Sequence, residues 1–332
     1  TFPERFTPNT KLSGSELDGT TALIIAMADL WERLDYSNST KKHIEDFLSA
    51  DSSPLYYFIE QLKTAPLLAG TGEFGAGCGV NTNKVVYNVV QNNLARLALA
   101  AAARIFRQMG KIRDAELFEN NAKILENNIL RYFVDRDGCW IWAIVSDTMA
   151  PDPDIDAVPD NIGFGGINGV VAMSADVFGL EVLNDTSPMT KTGINTFYKL
   201  HNNPIRKEQF DKYGIWIQFE VLHHGKLTSV SYGQGYAAQV MLLMDRLDLA
   251  DTTIKYMAEA TYDPPLTYRP NRQSPYYFYE RYYSPEAFGL IPIEEGCGAL
   301  NIVNVAEPLK VGRIIVGVDN TSSDKIKIIP RL

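Results

Sequence analysis

The sequence predicts a mainly α fold, an (α/α)6-type toroid incomplete at its start, and three observations carry that prediction. Apolar residues recur at helical 3/4 spacing in one segment after another. Consecutive helices are joined into hairpins by very short joints. Long loops rich in Gly, Pro and aromatic residues separate the hairpins, which suits a ring whose rim loops build a pocket better than a compact bundle. At the far end two β-prone runs, Arg313–Val318 and Lys325–Ile329, are expected to be strands joined at Asp319-Asn320. They would open a C-terminal β-domain, dividing the chain into a partial toroid over 1–308 and the first strands of that domain over 309–332.

Each element follows from local pattern. Asp18-Gly19-Thr20 can start a helix through Ala22, Leu23, Ala26, Met27, Leu30, Trp31 and Leu34. The stretch from Lys41 to Lys63 is helical but broken at Ser52-Ser53-Pro54. From Lys84 to Met109, the residues Val86, Val89, Val90, Leu94, Leu97, Ala98, Ala101 and Ile105 form one stripe. Asn92, Arg96, Arg104 and Arg107 fall opposite, and Gly110 ends the helix. Ile112, Ala115, Phe118, Ala122, Leu125, Ile129 and Tyr132 continue at 3-4 spacing, so the two helices should be antiparallel neighbours. Cys139–Val145 reads as strand or extended loop and residues 150–160 as an acidic, Pro-rich loop. Helices are expected again over Ile167–Phe178 and Thr190–Leu200. A further hairpin covers Val230–Leu247 and Ala250–Ala260, ending at Tyr262-Asp263-Pro264-Pro265. An aromatic loop, Pro275 to Tyr283, leads to a short helix over Ala299–Val305.

Composition excludes several classes of function. Of 332 residues, 45% are hydrophobic and 21% charged, and 31 Lys+Arg against 40 Asp+Glu leave a net charge of −9. That balance argues against a nucleic-acid partner, whose phosphates need a basic face. No uncharged apolar run reaches the length of a membrane span, so no membrane partner is expected. Cys78, Cys139 and Cys297 are odd in number and far apart, which rules out a disulfide framework and a CxxC metal site. The chain opens at Thr1 without a start Met or signal peptide and reads as processed, trimmed or excerpted, leaving room for the rest of a larger polypeptide. Three Asn-x-Ser/Thr sequons, at Asn38, Asn184 and Asn320, lean the location toward extracytoplasmic.

No nucleotide or metal motif survives inspection, so no cofactor and no metal are expected. The glycine-rich run Gly70–Gly77 lacks the Lys-Ser/Thr ending of a phosphate loop. His223 and His224 are adjacent and so point to opposite sides of either regular element. What remains is a set of carboxylates beside aromatics on Gly/Pro-interrupted loops: Glu73, Asp211 and Glu220 flanking Trp216, Glu280 among tyrosines, and Glu294-Glu295. Glycosidic bond hydrolysis needs such parts, because one carboxyl protonates the leaving oxygen while another activates water or attacks the anomeric carbon. Glu280 stands out as a charge embedded among aromatics, where it must be paired, as by Arg281, or tuned for function. The expected substrate is an oligosaccharide or polysaccharide. Arg281, Trp142, Trp216, Tyr276, Tyr277, Glu294 and Glu295 would line its pocket.

A family pattern lies on the same residues. Ser231-Tyr232-Gly233-Gln234-Gly235-Tyr236 through Ala260-Thr261-Tyr262-Asp263-Pro264, followed by Tyr279-Glu280-Arg281, resembles the bacterial α-L-rhamnosidase type of six-hairpin glycoside hydrolase. Gly298–Asn301, Val316–Val318 and Lys325–Pro330 are similar to that family's last helix and the start of its C-terminal β-sandwich. Residues 84–133 resemble its central helix pair. The resemblance implies an inverting mechanism with Glu280 as general base, in a Trp-Glu-Arg motif whose Trp is here Tyr279. The family's general acid belongs to an Asp-Glu-Arg motif that this chain lacks. Either the acid lies upstream of Thr1 or another carboxylate serves, and Glu73, standing where the family has a pocket-lining Asp-Trp, is the in-chain candidate. Two rival readings are a polysaccharide lyase on the same toroid, with Tyr and His201, His223 or His224 removing a proton beside a uronate, and a non-catalytic carbohydrate-binding toroid.

Overall fold

A computed structural model of the chain describes residues 17–35, 37–69, 86–141, 143–151, 187–214, 218–220, 226–262, 281–283, 302–319 and 326–331. They are mostly helical and fall into two compact units, one holding 17–135 and 140–151, the other 136–139, 187–319 and 326–331.

The first unit contains α1 (Leu17–Arg33), α2 (Ser39–Ser49), α3 (Pro54–Leu62), β1 (Val86–Asn88), α4 (Val89–Gln108), α5 (Ile112–Tyr132), β2 (Ala143–Val145) and β3 (Ala150–Pro151). Local chemistry sets the boundaries. Asn38 caps α2 by accepting from the Thr40 amide, and Ser53 caps α3, with Pro54 in the first turn where its missing N–H costs nothing. Between α4 and α5, Gly110 takes φ +75°, its N–H donates to Arg107, and the Lys111 N–H reaches back to Phe106 at 2.9 Å. That pair of bonds is a Schellman closure, and it turns α4 back onto α5. Helix α4 packs against both α1 and α5, so Ala95, Ala98, Ala102, Ile105 and Phe106 are fully buried. Phe106 meets Phe118 of α5 edge-to-face with centroids 4.9 Å apart. At the wet edge, Glu32 of α1 accepts from Arg104 Nε at 2.6 Å and from Gln108 at 3.1 Å. Lys41 is buried with its Nζ 3.8 Å above the Trp31 ring, donating to the Leu34 carbonyl.

The second unit contains α6 (Pro188–His201), α7 (Pro204–Tyr213), β4 (Gln218–Glu220), β5 (Lys226–Val230), α8 (Ser231–Leu243), α9 (Leu247–Tyr262), β6 (Arg281–Tyr283), α10 (Ile302–Val316), β7 (Val318–Asp319) and β8 (Lys327–Ile328). Here α8 is the central helix, packed on α9 and α10, with Ala237 to Leu243 buried throughout. The α8–α9 joint repeats the α4–α5 closure. Asp245 takes φ +58°, donates to Leu242, and the Arg246 N–H reaches Met241 at 2.8 Å. The Arg246 side chain then bonds Asp248 at 2.7 and 2.9 Å and the Tyr198 hydroxyl of α6 at 3.3 Å. These bonds hold the Asp248 carboxyl down at about 2.

Several expectations are corrected. The chain around Val86–Asn88 is a strand, not the first turn of α4, because β-prone Val86-Tyr87 pairs with β2 before Asn88 starts the helix. Asn92 is buried instead of facing solvent. The C-terminal helix runs over Ile302–Val316, so Arg313–Val316 is helical rather than the strand expected there. Val311 and Ile314 are buried one helical turn apart, and a continuous apolar run does not distinguish the two structures by itself. Only Val318-Asp319 and Lys327-Ile328 pair, as an isolated two-stranded sheet, so no β-sandwich opens among the described residues. The expected helix over Ile167–Phe178 lies outside the described residues, as does most of the acidic loop.

Backbone geometry at the helix ends predicts three graded substitutions. A Cβ on Gly317, at φ +70°, would stand 2.0 Å from the Ile329 carbonyl oxygen, so Gly317→Ala should be severely destabilising. A Cβ on Gly110 meets nothing within 4 Å, so Gly110→Ala should cost only the left-handed backbone strain, about 1 kcal/mol. Asp245→Gly should stabilise, since it removes a Cβ from the same conformation. Thermal unfolding of the three variants checks the order.

Candidate functional site

In each unit an extended strand runs directly into the N-terminus of the central helix, and a second strand pairs with it at that point. In the first unit the joint is Asn88. Its side chain accepts from the Val90 and Gln91 amides at 2.8 and 3.4 Å, and its backbone pairs with Ala143, the first residue of β2. Four residues on, Asn92 spends its whole carboxamide on backbone. Its Nδ2 donates to the Asn88 and Leu68 carbonyls at 2.9 and 3.1 Å, and its Oδ1 accepts from the Leu68 amide at 2.8 Å. Asn128 of α5 donates to the Pro66 carbonyl at 2.7 Å. The chain is therefore clamped at residues 66–68 on one side of the glycine-rich segment and at Val86–Asn88 on the other, both against the head of α4.

The second joint is Val230-Ser231. Strand β5 is the centre of the sheet β4-β5-β6 and continues without a break into α8. Its last residue, Val230, pairs with Arg281, the first residue of β6. Val230 immediately precedes the 231–236 piece and Arg281 closes the 279–281 piece, both of which carry the rhamnosidase resemblance, and this register sets those two residues opposite each other.

Of the residues expected to do chemistry, Glu73, Trp142, Trp216, Tyr276, Tyr277, Glu280, Glu294 and Glu295 lie outside the described residues, as do His223 and His224. Glu220 ends β4 opposite Lys226. Asp211 is exposed on α7 and paired with Lys207 at 2.6 Å.

His201 is spent on packing. Its ring stacks on Phe197 at 5.8 Å and meets Phe210 edge-on at 4.9 Å, and burial, with Lys207 and Arg246 nearby, lowers its proton affinity below the usual 6.5. Burial likewise raises the Tyr87 hydroxyl beside the first joint. Sequence reasoning missed the carboxamide group at the head of α4. Gln91, Asn92 and Asn93 are all buried, and the signal for them was three successive amide side chains beginning three residues after a cap. Among the described residues, no cluster of three or more His, Cys, Asp or Glu could hold a metal ion, and no helix is long and apolar enough to cross a membrane.

No protein-family model matches the chain. No curated protein sequence matches it. Among solved structures, the cellobiose 2-epimerase of Bacillus thermoamylovorans B4167 aligns over 90% of this chain and 88% of its own, at 13% identity and a TM-score of 0.43. A likeness of that size carries no argument about fold, substrate or reaction.

Two measurements follow from this geometry. Asn92→Leu should destabilise the first unit by about 2–4 kcal/mol, because it strands the buried Leu68 backbone groups as well as deleting its own bonds. It should also speed hydrogen exchange at Leu68. Because the folded His201 imidazole binds its proton less tightly than the unfolded one, its contribution to stability is complete above about pH 6.5 and is lost as pH falls below that through the depressed folded value. Denaturation midpoints of wild type and His201→Phe, measured between pH 7.5 and 5, should converge or cross toward acid.

Proposed function

We propose that the chain is a glycoside hydrolase of the six-hairpin, α/α-toroid type, close in chemistry to the α-L-rhamnosidases, acting on an oligosaccharide or polysaccharide by inversion. Glu280 serves as general base, and Glu73 or a carboxylate upstream of Thr1 serves as acid. The observation that supports this reading is the pairing of Val230, the residue before one motif-bearing stretch, with Arg281, the last residue of the other. Supporting it are two hairpins of the same plan, each with a central helix headed by a three-stranded sheet.

The proposed role has a physical rationale. The N-terminal end of an α-helix carries partial positive charge, and Arg281 adds a full one next in sequence. Both favour the ionised form of a neighbouring carboxyl, which a base requires. Arg281, Trp142, Trp216, Tyr276 and Tyr277, with Glu294 and Glu295, are proposed to contact the sugar through charge-assisted bonds and flat aromatic faces. The reading extends to an extracytoplasmic location, supported by the sequons.

The test is turnover of an aryl α-L-rhamnoside, with the anomer of the first product read by NMR. Wild type should release the inverted sugar, and Glu280→Gln should lose about 10²–10⁴-fold in kcat while keeping its unfolding midpoint. A Glu280→Gln enzyme of undiminished turnover, or a retained anomer, would contradict the assignment.

A further inference from the structure

Of the three Asn-x-Ser/Thr sequons, those at Asn184 and Asn320 lie outside the described residues, while Asn38-Ser39-Thr40 opens α2. Its geometry gives the two ends of the Asn38 carboxamide different duties. Oδ1 accepts from the Thr40 amide at 2.9 Å and so caps the helix. The backbone is engaged as well: the Asn38 N–H donates to the Asp35 carbonyl at 3.0 Å, and the Asn38 carbonyl accepts from Lys41 at 3.1 Å. Nδ2 has no partner among the described residues, and the side chain is only half buried, between exposed Ser37 and Ser39.

The surroundings suit a bulky hydrophilic substituent. Thr40, Lys42 and His43 are exposed, whereas Lys41, Ile44 and Leu48 seat the other side of α2 in the fold. The Thr40 hydroxyl makes no bond among the described residues, so the third position of the sequon keeps its hydroxyl free. A sugar on Asn38 also leaves the helix start intact. It replaces one hydrogen of Nδ2, and Oδ1 remains an acceptor for the Thr40 amide.

We propose that Asn38 is an N-glycosylation site. In the transfer, Nδ2 attacks the anomeric carbon of a lipid-pyrophosphate-linked oligosaccharide supplied by a eukaryotic secretory pathway. The N–C bond forms, the C–O bond to pyrophosphate breaks with its electron pair leaving on oxygen, and Nδ2 gives up one proton. This rests on the extracytoplasmic reading above and adds to it the point of attachment. The glycan covers the turn between α1 and α2 and makes it more soluble.

The experiment expresses the full chain behind a secretory leader in a eukaryotic host. The peptide carrying Asn38 is read by mass spectrometry of total protein, before and after a peptide N-glycosidase that leaves Asp where a sugared Asn stood. Wild type should be modified at Asn38 and should unfold at or above the midpoint of the same chain made in bacteria. Thr40→Ala should lose the glycan and keep that bacterial midpoint, because the cap bond comes from the Thr40 backbone N–H. Asn38→Gln should lose glycan and cap together and unfold at a lower temperature. An unmodified wild-type Asn38 would overturn the proposal, whatever happens at Asn184 and Asn320, and so would a glycosylated chain that unfolds below the bacterial one. The leader brings the chain to the transferase, so an unmodified Asn38 counts against this site and leaves the location reading standing. Recovery of the native chain from the cytosol would overturn both.

Discussion

The structure depends on how a strand is made to become a buried helix. At Asn88 one side chain caps the helix, its carbonyl takes a bond from Asn92, and its backbone pairs with β2. Capping satisfies donors that burial would otherwise leave without partners, and α4 is buried from its first residue. An exposed helix could leave those groups to water. This one cannot, so the strand, the cap and the Leu68 clamp have to form together.

The same plan recurs at Val230-Ser231, where the sequence between strand and helix has no counterpart to Asn88 yet the register again ends on the residue before the helix. The residues paired there lie at the positive end of a helix, a position suited to holding anions and orienting polar groups. Rigid elements fix such groups more tightly than a free loop would. The closures at Gly110 and Asp245 complete each hairpin with the same pair of backbone bonds, although only one uses glycine.

The helices were legible because their apolar stripes are long and their ends are punctuated by Asn38, Ser53-Pro54 and Gly110. Strands β2 and β8 fall within runs read as β-prone, Cys139–Val145 and Lys325–Ile329, but β1 and β6 were not legible, since each is three residues long and too short to show a period. Arg313–Val316 misled for a related reason: Ile314, Ile315 and Val316 are β-branched, and packing against α8 outweighs that preference. For the site, the sequence pointed to charged and aromatic residues and passed over the amides. Gln91, Asn92 and Asn93 look like a solvated face until burial is known, because polarity alone does not say which way a central helix turns.

Hydrogen exchange of the intact chain with and without saturating L-rhamnose tests the central claim most directly. The account predicts slowed exchange at the amides of Val230 to Gln234 and of Arg281 to Tyr283, the second strand-to-helix joint. Sugar binding that leaves those amides unchanged would contradict it.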